Sequence, residues 1–289
     1  ICGNILPRFW GESNTIFKNI LLLSSSIFYM AKLLIMAGGM SSRMKKTDGN
    51  SNLDEKLIEQ ANTLPKGMIG VGKDGRPFMD YLLYNAHRAG YNEVLILKNP
   101  KDSVTQPYYD QLVADGKAWG FTFKFATQQI APDREKPAGT ADAIQQALEQ
   151  TPEWKGERFT VCNSDNLYSV SVLTLLKEAE IPNAVVSYNA DALGVEPERV
   201  KAFAIIKTNE DGSLVEILEK PNDEQIAEAK RVAGQIGVNM NVFHFNLAND
   251  EGWRIEIPGL PELTEFGGRR GFSVDESEFL WPYYASGAD

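Results

Sequence analysis

Residues 33–43 read LLIMAGGMSSR, an apolar run that stops at two glycines and continues as a short polar loop. Glycine lets a backbone approach a ligand closely and adopt positive φ, and successive loop N–H groups can form a nest that binds anions. Arg43 adds a planar cation that suits phosphate oxygens, and Lys66 is a second cation that the same loop system could bring in. We therefore interpret this loop as a candidate phosphate site. The alternative is an ordinary strand-to-loop turn whose arginine faces water.

Two familiar phosphate motifs do not match this loop. Walker A ends in Gly-Lys-Ser/Thr, and the loop has no such ending. The dinucleotide fingerprint needs Gly-x-Gly-x-x-Gly at the start of a helix, whereas Gly38 and Gly39 are adjacent and Arg43 stands where the helix-packing glycine belongs.

Composition places the chain among ordinary globular proteins. Its 289 residues can bury a substantial core, as one large domain or as a domain with an extension. The net charge of −10 argues against nucleic-acid binding, which relies on clustered Lys and Arg. Cys2 and Cys162 form no disulfide framework and suit a reducing compartment, so we expect a cytoplasmic protein.

The two ends of the chain differ in character from its middle. Residues 20–30 are apolar but shorter than the ~20 residues that span a bilayer, so membrane anchoring is the minor alternative. We expect residues 1–29 to be a non-native or disordered leader. Residues 30–289 are then a single domain, and its truncation at the C-terminus is left open.

From residue 32 onward, strand-like and helix-like segments alternate, which is typical of a sheet flanked by helices. Apolar strands are predicted at residues 33–36, 93–97, 121–125, 159–162 and 184–187, with amphipathic helices between most of them. Two strands at 202–207 and 213–218 are joined by TNEDG, a hairpin signal. The predicted fold is α/β, with a Rossmann-like mixed, mainly parallel sheet flanked by helices and an added antiparallel β hairpin region.

Two further segments carry residues suited to ligand binding. PAGTADAI at 137–144 is a loop that leads into a helix N-terminus, where free N–H groups favour polar or anionic ligands. The alternative is a glycine loop with Thr140 as N-cap. Asp165 follows the strand at 159–162, at the sheet edge where α/β proteins bind ligands, and a carboxylate there suits Mg²⁺. The alternative there is a turn-forming Asp-Asn pair.

Taken together, these segments resemble the sugar-phosphate nucleotidyltransferases (nucleotide-sugar pyrophosphorylases), whose signature is Ala-Gly-Gly-x-Gly-Ser/Thr-Arg followed by Pro-Lys. The resemblance implies a GT-A-like nucleotidyltransferase fold and catalytic roles for Arg43, Lys66, Asp165 and Lys220. It implies nucleotide binding by Ala37, Gly38, Gly39, Ser41, Ser42, Gln128, Gln129, Gly139 and Thr140. Glu219, Lys220 and Asn239 correspond to the sugar-phosphate site, and Asp165 to the Mg²⁺ ligand. Ser41, Ala204 and Asn241 stand where the family prefers glycine.

The implied reaction joins a nucleoside triphosphate to a sugar-1-phosphate with release of pyrophosphate. Transfer to a non-sugar phosphate such as phosphocholine, and a catalytically weak nucleotide-binding regulatory homologue, are the alternatives. A glycosyltransferase ranks lower, because Asn163-Ser164-Asp165 is only half of an Asp-x-Asp metal motif. The base, the sugar and the oligomeric state are left open.

Overall fold

The computed structural model describes residues 30–39, 55–130, 132, 134, 139–179, 183–193, 197–210 and 213–246. The chain divides into two units, Ile1–Met30 and Ala31–Asp289, and every element below belongs to the second. The predicted leader at 1–29, the loop residues Ser41, Ser42 and Arg43, and everything from residue 247 onward lie outside the described residues.

Ten strands and seven α-helices are found in the described part of the chain. The strands are β1 Lys32–Ala37, β2 Gly70–Val71, β3 Arg76–Pro77, β4 Glu93–Lys98, β5 Thr122–Thr127, β6 Arg158–Asn163, β7 Asn183–Asn189, β8 Ala204–Thr208, β9 Leu214–Leu218 and β10 Gly237–Asn246. The helices are α1 Glu55–Thr63, α2 Phe78–Arg88, α3 Thr105–Ala114, α4 Thr140–Gln150, α5 Val170–Lys177, α6 Pro197–Val200 and α7 Asp223–Ala233.

One mixed sheet of eight strands organises these elements. Its order is β5-β4-β1-β6-β10-β8-β9, and β7 also pairs with β10. The four strands β5, β4, β1 and β6 are mutually parallel. Strand β10 runs antiparallel to β6, β7 and β8, and β8 and β9 form the antiparallel hairpin. The predicted fold class, with its mainly parallel sheet and added hairpin, is confirmed.

Strand β1 is covered on both faces, which explains its continuous apolar sequence. Leu33 and Ile35 pack in a cluster with residues of α2 and α5, whereas Leu34 belongs to a second cluster with residues of α4. All three side chains are fully buried. No helix in the described ranges combines the length and the apolar character that a membrane crossing needs.

The sequence pattern locates most elements to within two residues of their observed ends, and the structure defines two helix starts. Pro77 is the N-cap of α2 and pairs with Gly70 across the β2–β3 ladder. The alternative of Thr140 as an N-cap is excluded. Gly139 occupies that position with φ of 138°, a value that favours glycine, and Thr140 is the first residue of α4.

His244 gives the fold a pH-dependent stability. Its ring lies in β10 opposite Thr160 and Ala184, is 2% exposed, and has no hydrogen-bond partner on either nitrogen among the described residues. Desolvation, reinforced by the nearby Arg158 charge, lowers the pKa of His244 to about 4. In the unfolded chain the His244 imidazole binds a proton near pH 6.5, whereas in the folded chain it does not. The contribution of His244 to the free energy of unfolding therefore falls as the pH drops from about 6.5 towards 4, with a slope approaching 1.4 kcal/mol per pH unit.

We expect His244→Leu to remove this component of the pH dependence, because leucine has a similar volume and carries no titratable group. Urea unfolding at several pH values between 4 and 7 measures it. Replacement of the exposed His87 by Gln controls for the loss of a histidine as such and should leave the slope in place. An unchanged slope in His244→Leu would contradict the assignment.

Candidate active site

The register between β1 and β6 brings two of the predicted site segments to one edge of the sheet. Met36 pairs with Asn163, and the Ser164 N–H donates to the Met36 carbonyl at 3.2 Å. Gly38 and Asp165 each lie two residues beyond that pair. The glycine turn and the predicted metal carboxylate therefore leave neighbouring parallel strands at their carboxyl ends, where open α/β sheets bind ligands.

Gly38 is tightly enclosed by residues from the neighbouring strands. The Asn99 side-chain amide, which follows β4, donates to the Gly38 carbonyl at 3.0 Å. Gln128, which follows β5, is 4% exposed, and a Cβ placed on Gly38 would lie 2.1 Å from Gln128 Oε1. A larger residue at position 38 would therefore have to displace the buried Gln128 side chain.

The two candidate base-reading glutamines have different environments. The Gln128 side chain lies against Gly38 inside the site, whereas Gln129 is exposed. The Gln128 N–H donates to the Lys98 carbonyl at 2.9 Å, which continues the β4–β5 pairing by one residue. Successive side chains of an extended chain point to opposite sides, so the placement of Gln128 turns Gln129 away.

Two glutamines of α4 hold this segment in place, and the sequence analysis missed them. Gln146 receives the Gln129 N–H at 2.6 Å and donates to the Gln129 carbonyl at 3.1 Å. Gln150 makes the same two bonds with Thr127, at 2.9 and 3.0 Å. The side-chain amides thus satisfy the outward backbone groups at the end of β5 in the way that a further strand would. Their spacing of one helical turn beside an edge strand is the signal that could have revealed them.

Helix α4 begins at the segment predicted to face a nucleotide. Gly139 makes no side-chain cap, and the first turn carries Asp142, which accepts a bond from Gln146 Nε2 at 2.8 Å. The same glutamine therefore links the start of α4 to residue 129. Gly139 and Thr140 are held in register with the end of β5.

Lys66 and Asp165 form an ion pair at this edge although they are 99 residues apart, with 2.8 Å between Lys66 Nζ and Asp165 Oδ2. Their side chains are 40% and 36% exposed, so both remain accessible to a ligand. Gly67 allows the backbone next to Lys66 to lie close to Ser164, since a Cβ on Gly67 would lie 3.1 Å from the Ser164 carbonyl oxygen. The structure therefore brings the predicted Pro-Lys cation to the predicted metal ligand.

Asp165 offers a carboxylate of the type that Mg²⁺ uses, but it is not part of a larger cluster of metal-binding side chains in the described ranges. Among the described residues, no group of three or more His, Cys, Asp or Glu side chains could hold a metal ion. Mg²⁺ commonly takes one or two protein carboxylates and completes its shell with substrate phosphates and water. An accessible single carboxylate beside a glycine turn fits such a site.

Strand β10, which carries Asn239 of the predicted sugar-phosphate site, contains an irregular segment. The pairing of β10 with β7 shifts register between Asn239 and Phe243, and Asn241 has φ of 54°. The Asn239 side chain accepts the Asn241 N–H at 2.8 Å and donates to Asn241 Oδ1 at 3.1 Å. Asparagine is among the few non-glycine residues that adopt positive φ readily. Asn241 therefore keeps a conformation typical of the glycine that the resemblance places there.

Glu219 and Lys220 follow the last residue of β9 and are exposed. Lys220 has φ of 50°, which is unfavourable for a lysine. The chain then enters α7 through a capping box formed by Asn222 and Gln225. In the described part of the chain, no hydrogen bond or ion pair joins Lys220 to the other predicted site residues.

Fold and site together define an α/β protein with a glycine turn, a lysine and a carboxylate at the carboxyl edge of its parallel strands. Comparison with known families agrees with this description. The chain belongs to the nucleotidyl transferase family, whose sequence model matches residues 55–253. Lys66, Asp165, Lys220 and Asn239 lie inside the matched region, and the glycine turn precedes it. A second model, the catalytic domain of glycosyl hydrolase family 20, matches residues 225–287 and overlaps the first.

Individual relatives cover only parts of the chain. The chloroplastic/amyloplastic glucose-1-phosphate adenylyltransferase small subunit of Triticum aestivum is 29% identical over 118 residues, 41% of this chain and 24% of that protein. A beta-hexosaminidase of Vibrio vulnificus is 54% identical over 50 residues, 17% of this chain and 6% of that protein. The chain thus spans a small fraction of the curated relatives it matches. The assignment of residues 30–289 to one domain stays a prediction.

A solved structure of UDP-glucose pyrophosphorylase complexed with UDP-glucose is also similar. It is 18% identical with a TM-score of 0.49, and the alignment covers 75% of this chain and 76% of that one.

Gly38→Ala should destabilise the fold by about 1–3 kcal/mol, the usual cost of overpacking, because its Cβ displaces the buried Gln128 side chain. Gly39→Ala is the matched control, since a Cβ on Gly39 meets no described atom within 4 Å. Urea unfolding of both variants measures the difference. Equal stabilities would contradict the packing of Gln128 on Gly38.

Replacing Lys220 separates its charge from its backbone conformation. Glycine adopts positive φ freely, whereas alanine does so at a cost of roughly 1 kcal/mol. We therefore expect Lys220→Gly to be more stable than Lys220→Ala by about that amount, although both remove the same charge. Thermal and urea unfolding compare the two variants, and a more stable alanine variant would rule out the positive φ.

Proposed function

We propose that the chain transfers a nucleotidyl group from a nucleoside triphosphate to a sugar-1-phosphate and releases pyrophosphate. The observation that carries the proposal is the accessible Lys66–Asp165 pair at the sheet edge, beside Gly38, in a member of the nucleotidyl transferase family. The choice of a sugar phosphate as acceptor is supported by the wheat relative, whose name gives glucose-1-phosphate as its substrate.

In this reaction an oxygen of the sugar-1-phosphate attacks the α-phosphorus of the triphosphate. The bond between that phosphorus and the bridging oxygen breaks, and pyrophosphate leaves. Such a step needs positioning and charge neutralisation more than covalent help from the protein. Arg43 and Lys66 would bind the triphosphate, and Lys220 would orient the sugar phosphate. Mg²⁺ held by Asp165 would neutralise charge on the phosphate oxygens when bound.

The remaining predicted residues divide between the base and the sugar. Gln128 is better placed than Gln129 to meet a base, because its side chain lies inside the site against Gly38. Gly139 and Thr140 would present backbone N–H groups from the start of α4. Glu219 and Asn239 would contact sugar hydroxyls, while Ala37, Gly39, Ser41 and Ser42 would complete the phosphate loop. A cytoplasmic location is part of this proposal and rests on the cysteine content.

Lys66 neutralises Asp165 in the ion pair. Nucleotide phosphates would offer Lys66 a second anionic partner and free Asp165 for the metal that accompanies them. Exchange of one partner for another needs side chains that reach solvent, which both have.

A screen of pyrophosphate release tests the proposal. Four nucleoside triphosphates are combined with a panel of sugar-1-phosphates and with phosphocholine, in the presence of magnesium. We expect turnover with at least one sugar-1-phosphate. Release with phosphocholine alone would favour the alternative acceptor, and triphosphate binding without any release would favour a regulatory homologue.

Variants of the ion pair connect the activity to the site. We expect Lys66→Met and Asp165→Asn to lower turnover by at least ~100-fold, the effect of removing one preorganised charge partner. Lys117→Met is the matched control, because Lys117 and Asp115 form another exposed ion pair, at 3.0 Å, outside the site. If Lys66→Met retains the turnover of Lys117→Met, the site assignment is wrong.

A further inference from the structure

The hydroxyl group of Tyr168 connects two strands that carry different parts of the proposed site. It accepts the Asn163 N–H at 3.2 Å, from the last residue of β6, and donates to the Met240 carbonyl at 2.7 Å, in β10. The side-chain amide of Asn166 strengthens the connection by donating to Tyr168 Oη at 3.1 Å and to the Met240 carbonyl at 3.0 Å. Tyr168 is 2% exposed, so these bonds are shielded from water.

The irregular segment of β10 depends on these contacts for its hydrogen bonding. Pairing with β8 ends at Asn239, and pairing with β6 begins at Val242. Pairing with β7 passes from Asn239 directly to Phe243. Met240 and Asn241 therefore have no partner in the described ladders, and a buried carbonyl without a partner is costly. Tyr168 and Asn166 satisfy the Met240 carbonyl instead.

The residues on either side of this connection are those of the proposed reaction. Asp165 lies between Asn163 and Asn166, and Asn239 and Asn241 lie on either side of Met240. A displacement of β10 relative to the end of β6 would change the distance between the metal ligand and the sugar-binding amide. The geometry thus gives the hydroxyl a position from which it controls that distance.

We propose that Tyr168 is a positioning residue that sets the spacing between Asp165, which follows β6, and Asn239 on β10, and so aligns the sugar phosphate with the nucleotide. This inference rests on the function proposed above. Tyr168 acts through the backbone and contacts neither substrate. The hydroxyl must keep its proton to bind the Met240 carbonyl, and burial favours this because it raises the pKa of Tyr168.

Tyr168→Phe tests the proposal because it keeps the ring and removes only the hydroxyl. We expect the KM for the sugar-1-phosphate to rise about tenfold and kcat to fall by about 10- to 100-fold, as misalignment near 1 Å produces. The affinity for the triphosphate with magnesium, measured by calorimetry without acceptor, should change less than about twofold because Gly38 and Gln128 are held by other bonds.

Tyr91→Phe is the matched control. Tyr91 is also buried, and its hydroxyl lies 2.6 Å from Thr160 Oγ1 in the middle of β6 and donates to the Leu173 carbonyl at 3.0 Å. Its removal should reduce stability to a similar degree without raising the KM for the acceptor. Equal KM and kcat changes in the two variants would overturn the positioning role.

Hydrogen exchange distinguishes failure of this inference from failure of the proposed function. Faster exchange at residues 239–243 in Tyr168→Phe, and not in Tyr91→Phe, supports the connection whatever the substrates are. Equal protection of that segment in both variants overturns it. Absence of pyrophosphate release from the unmodified chain overturns the proposed function separately.

Discussion

The parallel pairing of β1 with β6 is the constraint on which the rest of the site depends. It fixes Met36 opposite Asn163, and the bond from Ser164 to Met36 continues the pairing beyond the strand. Gly38 and Asp165 must then leave the sheet at the same level. In the proposed function Gly38 and Asp165 serve one ligand, which requires that they be held in this way, and two buried strands hold them.

Gly38 is closely packed by the residues that follow the neighbouring strands. The Gln128 side chain occupies the space of a Cβ at that residue, and Asn99 binds its carbonyl. The glutamine is itself held because Gln146 and Gln150 tie the neighbouring backbone to α4. The end of the edge strand β5 thereby becomes a support for the candidate base-binding residue, and the Gln150 side-chain amide occupies the backbone groups of Thr127 that would otherwise be open.

Local sequence patterns predicted the strands and helices well, because continuous apolar runs and amphipathic spacing report burial directly. They could not predict that β10 inserts beside β6, since a strand of alternating character does not reveal its partners. Local patterns could not predict the Lys66–Asp165 ion pair either, because the two residues are 99 residues apart and meet only through the fold. The burial of Gln128 and the exposure of Gln129 could not be predicted either, because the end of β5 decides the side that each amide faces.

Two segments in the antiparallel half of the sheet contain residues with an unfavourable backbone conformation. Of the three described non-glycine residues with positive φ, Lys220 and Asn241 lie in the two segments that the resemblance assigns to the sugar phosphate. Backbone strain of this kind persists only where surrounding structure enforces it, and it is frequent at functional sites. Asparagine adopts positive φ readily, whereas for lysine this conformation is unfavourable. A glycine at residue 220 would be less strained, whereas the proposed function needs the positive charge that a lysine supplies there.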